Sequence, residues 1–275
     1  MSISNENVDH VEPISEFRTA VSRWLDANAT IPEKIDVPGR GRPMSQALKD
    51  WAVEFRLKLG AKGWIAPNWP REYGGGGLSN NHAAIINQEL SKRRLPPLQV
   101  SIMHASPFRV YGTEDQKKTF LRSILRGEIT VANTFTEVAH GSDLQSTEAT
   151  AIKDGDEYVI NAKKAYITSP LRPDLFLCLA ATNPEAPPEY RYSVIIVDAH
   201  TPGIEIKAQS LLTPGREHTV FYTNAHAPRT QILGEEGQGL EIAGMMVEIE
   251  RGGISVPLQK QLEIEESEAN EKDPH

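Results

Sequence analysis

The stretch Thr134 to Ser169, TFTEVAHGSDLQSTEATAIKDGDEYVINAKKAYITS, carries the clearest structural signals in this 275-residue chain. Thr147 to Lys153 alternates loosely between polar and β-prone residues, and Tyr158 to Ile160 is a second β-prone run. Between these runs, Asp154-Gly155-Asp156 supplies the Asp-Gly pair that favours a tight hairpin turn. Lys163 to Thr168 is predicted to form a further strand. The stretch therefore predicts a β-hairpin followed by another strand.

A polar cluster precedes the hairpin, at Thr136-Glu137 and at Gly141-Ser142-Asp143. Glycine lets the backbone come close to a ligand, while backbone N–H groups and the Ser142 hydroxyl can donate to oxygen atoms. This composition suits a loop that contacts a cofactor. Taken alone, a Gly-Ser-Asp turn is far more often an ordinary surface turn.

Upstream of this stretch, apolar residues recur at helical spacing in two sets, which a Pro/Gly-rich link separates. The sets are Ile14, Phe17, Val21, Trp24 and Leu25, then Leu48, Trp51, Ala52, Phe55 and Leu59. Ser79 is placed to cap a third helix, and Thr113 with Gln116 has the spacing of a capping box. Downstream, short apolar runs between Pro and Gly clusters predict a small antiparallel β-sandwich or barrel. The expected fold class is α+β.

The composition of the chain limits the functional classes to which the protein can belong. The chain is 39% hydrophobic, which is enough to bury a core, and its formal net charge of -8 argues against nucleic acid as a partner. The first residues are polar and acidic, and no apolar run reaches the roughly 18 residues of a membrane span. We therefore expect a cytoplasmic protein with no membrane span. The single cysteine, Cys178, is expected to be a buried thiol. His82 and His104 lack partner ligands at helical spacing, so no metal site is predicted.

These segments together resemble the acyl-CoA dehydrogenase family. The family pattern is a Thr-Glu-Pro, a Gly-Ser-Asp, an Asn-Gly-x-Lys and a Trp-Ile-Thr, and the chain matches it at four places. They are Thr136-Glu137, Gly141-Ser142-Asp143, Asn161-Ala162-Lys163 and Tyr166-Ile167-Thr168. The departures are Val138 for proline, Ala162 for glycine and Tyr166 for tryptophan, which suggest a divergent branch. The segments GWIAPNWPREYGGGGLS, YGTEDQ and LGEEGQG are also typical of the family, and the glycine run lacks the Lys and Ser/Thr of a P-loop.

The resemblance implies an N-terminal helical domain and a flavin-binding middle β domain, with the chain truncated before a C-terminal four-helix domain. The predicted boundaries are a disordered tail at 1–13, the helical domain at 14–128, the β domain at 129–236, the start of a C-terminal helix at 237–258, and an acidic tail at 259–275. In full-length members the absent domain supplies the catalytic glutamate, and no residue here matches it. No catalytic residue is therefore assigned, and Glu137 is interpreted as a sheet-edge carboxylate or strand-end anchor.

By the same resemblance, the cofactor is FAD, and its predicted contacts come from the middle domain. They are Phe135, Thr136, Gly141, Ser142, Tyr166 and Thr168. Ser142 is also a candidate contact for the pantetheine arm of an acyl-CoA substrate. Glu248 and Arg251 sit where the family has an Asp and an Arg that contact coenzyme A. The alternative for these two is a solvated ion pair at i, i+3 spacing.

The implied reaction is α,β-dehydrogenation of an acyl-CoA thioester: a carboxylate removes the α-proton while the β-hydrogen leaves as hydride to the flavin. The implied partners are the substrate, an electron-acceptor flavoprotein, and further subunits in a homo- or hetero-oligomer, one of which could supply the helical domain. Two alternatives stay open. The chain could be a catalytically inactive truncated paralogue that acts as a binding subunit, or part of a flavin-dependent oxidase or monooxygenase of the same fold.

Overall fold

A computed structural model of the chain describes residues 14–39, 42–209, 217–253 and 255–272. The segment 1–13, which the sequence predicts to be a disordered tail, lies outside these residues. A helical part comes first, an eight-stranded sheet follows, and two helices come last. The α+β fold class is confirmed.

Helices make up the first part of the chain. They are α1 (Ile14–Asn28), α2 (Gln46–Ala61), α3 (Asn80–Ser91), α4 (Ile102–Tyr111), α5 (Glu114–Gln116) and α6 (Arg122–Leu125), with a π-helical turn at Lys117–Leu121. The first three helices share a buried cluster built from the predicted apolar positions, including Val21, Leu25, Phe55 and Leu59. The expected caps at Ser79 and Thr113 are both present. Gln116 also donates to the carbonyl oxygens of Thr230 and Ile232, which ties the helical part to the sheet.

The strands form one sheet. They are β1 (Val131–Thr134), β2 (Thr150–Asp154), β3 (Glu157–Thr168), β4 (Leu175–Ala181), β5 (Tyr192–Asp198), β6 (Ile204–Ala208), β7 (Glu217–Pro228) and β8 (Ile232–Leu233). A short helix, α7 (Pro188–Arg191), lies between β4 and β5. The order is β6-β7-β3-β2-β4-β5-β8, and β1 pairs with β4. The predicted hairpin is confirmed, since β2 and β3 pair antiparallel around Gly155 and Asp156.

Two details of the β prediction need correction. The sheet is mixed rather than wholly antiparallel, because β1 and the start of β2 both run parallel to β4. Lys163 to Thr168 is not a separate strand but the second half of β3. Pairing with β7 supports both halves of β3, so the strand continues through Asn161 and Ala162.

The sheet folds over on itself around a buried core. β5 contacts β7 although three strands separate them in the sheet order. β4 is buried along its whole length: Phe176, Cys178 and Ala180 face the interior of the folded sheet, while Leu175, Leu177 and Leu179 face the helices. A strand covered on both faces needs apolar residues at every position, which explains its continuous apolar run. Cys178 is a buried free thiol, as predicted.

Two helices follow the sheet, α8 (Gly239–Glu250) and α9 (Val256–Lys272). Within the segment predicted to be an acidic tail, 259–275, the chain is helical as far as Lys272. A tertiary contact holds this helix: Arg109 of α4, which is only 3% exposed, forms a bidentate ion pair with Glu265 of α9. Residues 273–275 lie outside the described part.

Candidate functional site

One extra residue in β3 decides which side chains face outward at the end of the hairpin. Lys164 pairs with Val220 and Ile167 pairs with His218, so three steps along β3 oppose two along β7. This is a β-bulge, and Tyr166 within it has a φ of +58°. In a regular strand Tyr166 would share the buried face of Lys164, because side chains alternate. The bulge instead turns Tyr166 and Thr168 outward and Ile167 inward.

The loop after β1 lies against this bulge. The Ala165 N–H donates to the carbonyl oxygen of Thr136 over 2.9 Å. A Cβ atom added at Gly141 would meet only Cγ2 of Thr136, at 3.9 Å, so the space around Gly141 is open. Ser142 is exposed and Tyr166 is 47% exposed. Five of the six predicted FAD contacts, at Thr136, Gly141, Ser142, Tyr166 and Thr168, therefore come from two segments that touch each other.

Several polar groups in these two segments have no protein partner in the described part of the chain. No hydrogen bond joins the hydroxyl groups of Thr136, Ser142 or Thr168 to another described residue, and the Gly141 and Ser142 amides have no backbone acceptor there. Asp143 differs, because its carboxylate accepts from the Gln145 N–H and the Ser146 hydroxyl. Hydroxyls and amides without a described protein partner, in segments next to a half-exposed aromatic ring, suit a flat heterocycle that carries an anionic group. The residues present thus fit FAD.

A buried ion pair between Lys164 and Glu137 joins β3 to the loop after β1. The Lys164 Nζ atom lies 2.9 Å from Oε1 of Glu137 and 3.2 Å from the carbonyl oxygen of Phe135, and the Lys164 side chain is fully buried. Glu137 also accepts hydrogen bonds from the backbone N–H groups of Glu148 and Ala149, at 2.8 and 3.0 Å. This geometry matches the interpretation of Glu137 as a strand-end anchor. Lys164 is not among the predicted site residues, although it lies an even number of positions from the buried Tyr158 and Ile160 of the same strand.

The Glu137 carboxylate should make the stability of the fold depend on pH. Burial alone would raise the pKa of Glu137, but Lys164 and the two backbone amides outweigh burial and hold the pKa below its ordinary value. A depressed folded-state pKa stabilises the fold above the unfolded-state pKa, about 4.3 for a glutamate, and the contribution is lost as the pH falls through the folded-state value. We expect acid unfolding monitored by circular dichroism to show this loss. In Glu137→Gln the loss below about pH 4.3 should be shallower, and equal pH profiles would contradict the assignment.

Phe135 is placed differently from the other predicted contacts. Its side chain is buried in the core between the sheet and the helices, and its carbonyl oxygen accepts from Lys164. The neighbouring Thr134 hydroxyl lies 2.9 Å from the Tyr222 hydroxyl, next to the buried Cys178, whose thiol pKa is raised by burial. Only the backbone of Phe135 thus lies toward the loop that carries Thr136.

Glu248 and Arg251 lie at the end of α8, and both are exposed. Within the described residues they form no ion pair with each other, so the solvated-pair alternative is not supported there. No hydrogen bond links them to the segments around Thr136 and Tyr166 in the same part of the chain. Gly252, at a φ of +85°, turns the chain directly after Arg251 and ends the helix.

His104 and the described helices bear on the predictions for metal sites and membrane spans. His104, in the first turn of α4, lies 3.1 Å through Nε2 from the Asn133 amide oxygen, and burial lowers its pKa. Over the described ranges, no group of three His, Cys, Asp or Glu side chains is arranged to hold a metal ion. No helix in those ranges is both long enough and apolar enough to cross a membrane.

Comparison with known proteins places these features in a family. Residues 15–128 match the model of the acyl-CoA dehydrogenase N-terminal domain, and residues 132–224 match that of the middle domain. Among curated proteins, the chain is 31% identical over 197 residues to acyl-CoA dehydrogenase FadE29 of Mycobacterium tuberculosis, a match that covers 70% of this chain and 51% of that protein.

Solved structures agree with these matches. The structure of the Tcur3481-Tcur3483 steroid ACAD G363A variant superposes with a TM-score of 0.72 at 28% identity, covering 87% of this chain and 63% of that one. An acyl-CoA dehydrogenase complexed with FAD from Bacillus anthracis gives a TM-score of 0.66 at 25% identity, covering 88% and 41%. The chain spans about half the length of the curated relatives that it matches.

Proposed function

Because the chain belongs to the acyl-CoA dehydrogenase family, we propose that it forms the flavin-facing half of an enzyme that dehydrogenates an acyl-CoA thioester between its α and β carbons. The observation that carries this proposal is the outward-facing group of Thr136, Gly141, Tyr166 and Thr168, which the β3 bulge and the loop after β1 bring together.

The position of each of these residues suits one contact with FAD or with the substrate. The half-exposed Tyr166 ring offers a flat wall for the isoalloxazine, and the Thr136 and Thr168 hydroxyls are free to donate to its heteroatoms. The Gly141 and Ser142 amides, in open space, can bind the FAD pyrophosphate or the pantetheine arm. FAD, when bound, supplies the acceptor for the β-hydride. Phe135 contributes through its backbone, since its side chain lies in the core.

A carboxylate base is the part that these segments do not provide. Glu137 is only 5% exposed, paired with Lys164 and depressed in pKa, so it is a weak proton acceptor held away from solvent. We assign the base to a C-terminal helical domain, supplied by a second polypeptide. The steroid ACAD neighbour is named for two components, Tcur3481 and Tcur3483, which supports this two-chain arrangement. Glu248 and Arg251, exposed at the end of α8, would contact the coenzyme A part of the substrate.

The proposal is tested by the visible absorption spectrum of the purified chain with added FAD, alone and after co-expression with a chain that carries a helical dehydrogenase domain. We expect flavin to be retained in the complex and bleached by acyl-CoA under anaerobic conditions. Retained flavin that acyl-CoA does not bleach would favour the inactive binding subunit. Flavin that acyl-CoA reduces and that molecular oxygen reoxidises at each turnover would favour the oxidase or monooxygenase. No retained flavin in either preparation would overturn the proposal.

A further inference from the structure

A buried ion pair such as Lys164–Glu137 contributes little net free energy to the stability of a sheet. Desolvating two charges offsets most of their attraction, and apolar side chains of similar volume often stabilise a core as well or better. Both side chains are nevertheless buried, with exposures of 0% for Lys164 and 7% for Glu137. Stability alone therefore does not account for a pair at this position.

The hydrogen bonds of the pair reach three segments. Lys164 donates to the Phe135 carbonyl oxygen in the loop after β1, and Glu137 accepts from the amides of Glu148 and Ala149, just before β2. Lys164 also lies immediately before Ala165, whose N–H bonds to the Thr136 carbonyl oxygen, and before the strained Tyr166. An apolar pair could fill the volume but could not bond to the Phe135 carbonyl oxygen or to the amides of Glu148 and Ala149.

We propose that the Lys164–Glu137 pair is a positioning device, which fixes the loop of Phe135 to Glu137 relative to the β3 bulge of Ala165 to Thr168. Its importance for FAD rests on the proposed function, because the outward-facing Thr136, Tyr166 and Thr168 belong to the two segments that it joins. Lys164 and Glu137 are thus positioning residues that act through Thr136 and Tyr166 and do not contact the ligand themselves.

The decisive variant is Lys164→Met/Glu137→Gln, which removes both charges together and leaves no buried charge unpaired. The introduced glutamine can still accept from an amide, whereas the introduced methionine can no longer donate to the Phe135 carbonyl oxygen. The matched control is Glu205→Gln/Lys207→Met, the same change in an ion pair of the same sheet whose side chains are 61% and 57% exposed. Should the first variant not fold, Lys164→Met alone tests the donor half of the device, because Glu137 then keeps the backbone amides of Glu148 and Ala149 as donors.

Amide hydrogen exchange of the protein without FAD measures positioning directly. We expect the Ala149 and Ala165 amides to lose at least tenfold of their protection in the variant, while the Ile195 amide in the centre of β5 keeps its protection and the control variant changes neither. Unchanged protection at Ala149 and Ala165 overturns the proposal. An equal loss at Ala149, Ala165 and Ile195 also overturns it, because the pair would then only stabilise the whole sheet.

FAD titration then separates this proposal from the proposed function. If the unmodified protein, with its helical partner, binds FAD, we expect the variant to bind it at least tenfold more weakly and with an altered visible circular dichroism of the flavin. Unaltered affinity and spectrum would overturn the link to FAD. If the unmodified protein binds no FAD, the proposed function fails, and hydrogen exchange still decides whether the pair positions the two segments.

Discussion

Replacing Glu265 with alanine should lower the free energy of unfolding by about 3 kcal/mol. Its partner Arg109 is buried, and the guanidinium lies 4.3 Å from the centre of the Trp69 ring. Arg109 Nε donates to Glu265 Oε1 over 3.1 Å, and a second guanidinium nitrogen bonds to Oε2. The variant leaves this cation in the core without a counter-charge. We expect a loss of stability near the lower limit of that seen when buried ion pairs are broken, because the Glu265 side chain is 22% exposed.

Urea denaturation of the two single variants and a double variant checks this expectation. Glu263→Ala lies two residues earlier on α9, is exposed and bonds only to Gln259 in the described part of the chain, so it should change stability by less than about 0.5 kcal/mol. Arg109→Met/Glu265→Ala removes both charges and should recover much of the loss. A Glu265→Ala variant as stable as Glu263→Ala would mean that α9 does not dock on α4.

The second large effect is expected at Tyr166. Tyr166→Gly should weaken FAD binding about tenfold or more, since stacking of a ring system on an aromatic side chain contributes roughly 1 to 3 kcal/mol. The same variant should raise the free energy of unfolding by about 1 kcal/mol, because glycine adopts a φ of +58° without the strain that a side chain brings there.

Tyr166→Ala is the matched control for this change. It removes the ring but keeps a Cβ atom at the left-handed backbone position, so FAD affinity should fall equally while the gain in stability is absent. FAD titration and urea denaturation measure the two effects separately. Undiminished FAD affinity in both variants would exclude Tyr166 from the flavin site.

The sequence predicted the parts of the fold whose signals are local. The Asp-Gly turn at Gly155, the capping box at Thr113 and the apolar repeats of α1 and α2 each depend on residues within a few helical turns or one hairpin. The parallel pairing of β1 with β4 has no such signal, because it joins segments 44 residues apart, as in Val131 with Leu175. Helix α9 was missed because its acidic composition resembles that of a solvated segment.

The candidate site was predictable in its outward-facing residues but not in what holds them there. Thr136, Gly141 and Tyr166 could be named from their motifs, whereas the bulge that turns Tyr166 outward is visible only in the pairing of β3 with β7. Lys163 and Lys164 are identical in type and adjacent, yet Lys163 is exposed and Lys164 is fully buried. Lys164 lies an even number of residues from the buried Tyr158, and Lys163 lies an odd number from it. This alternation separates the two lysines only once β3 is known to be one continuous strand.

The pairing of Arg109 with Glu265 also has a consequence for synthesis on the ribosome. The two residues are 156 positions apart in the chain. At about 5 to 20 residues per second, Arg109 would emerge roughly 8 to 31 s before its counter-charge. Until then the guanidinium of Arg109, which lies over the Trp69 ring, has no counter-charge and stays hydrated. This part of the α4 surface is therefore not yet buried. Among the described helices, α9 is translated last, after the whole sheet, and it brings the counter-charge for Arg109 of α4.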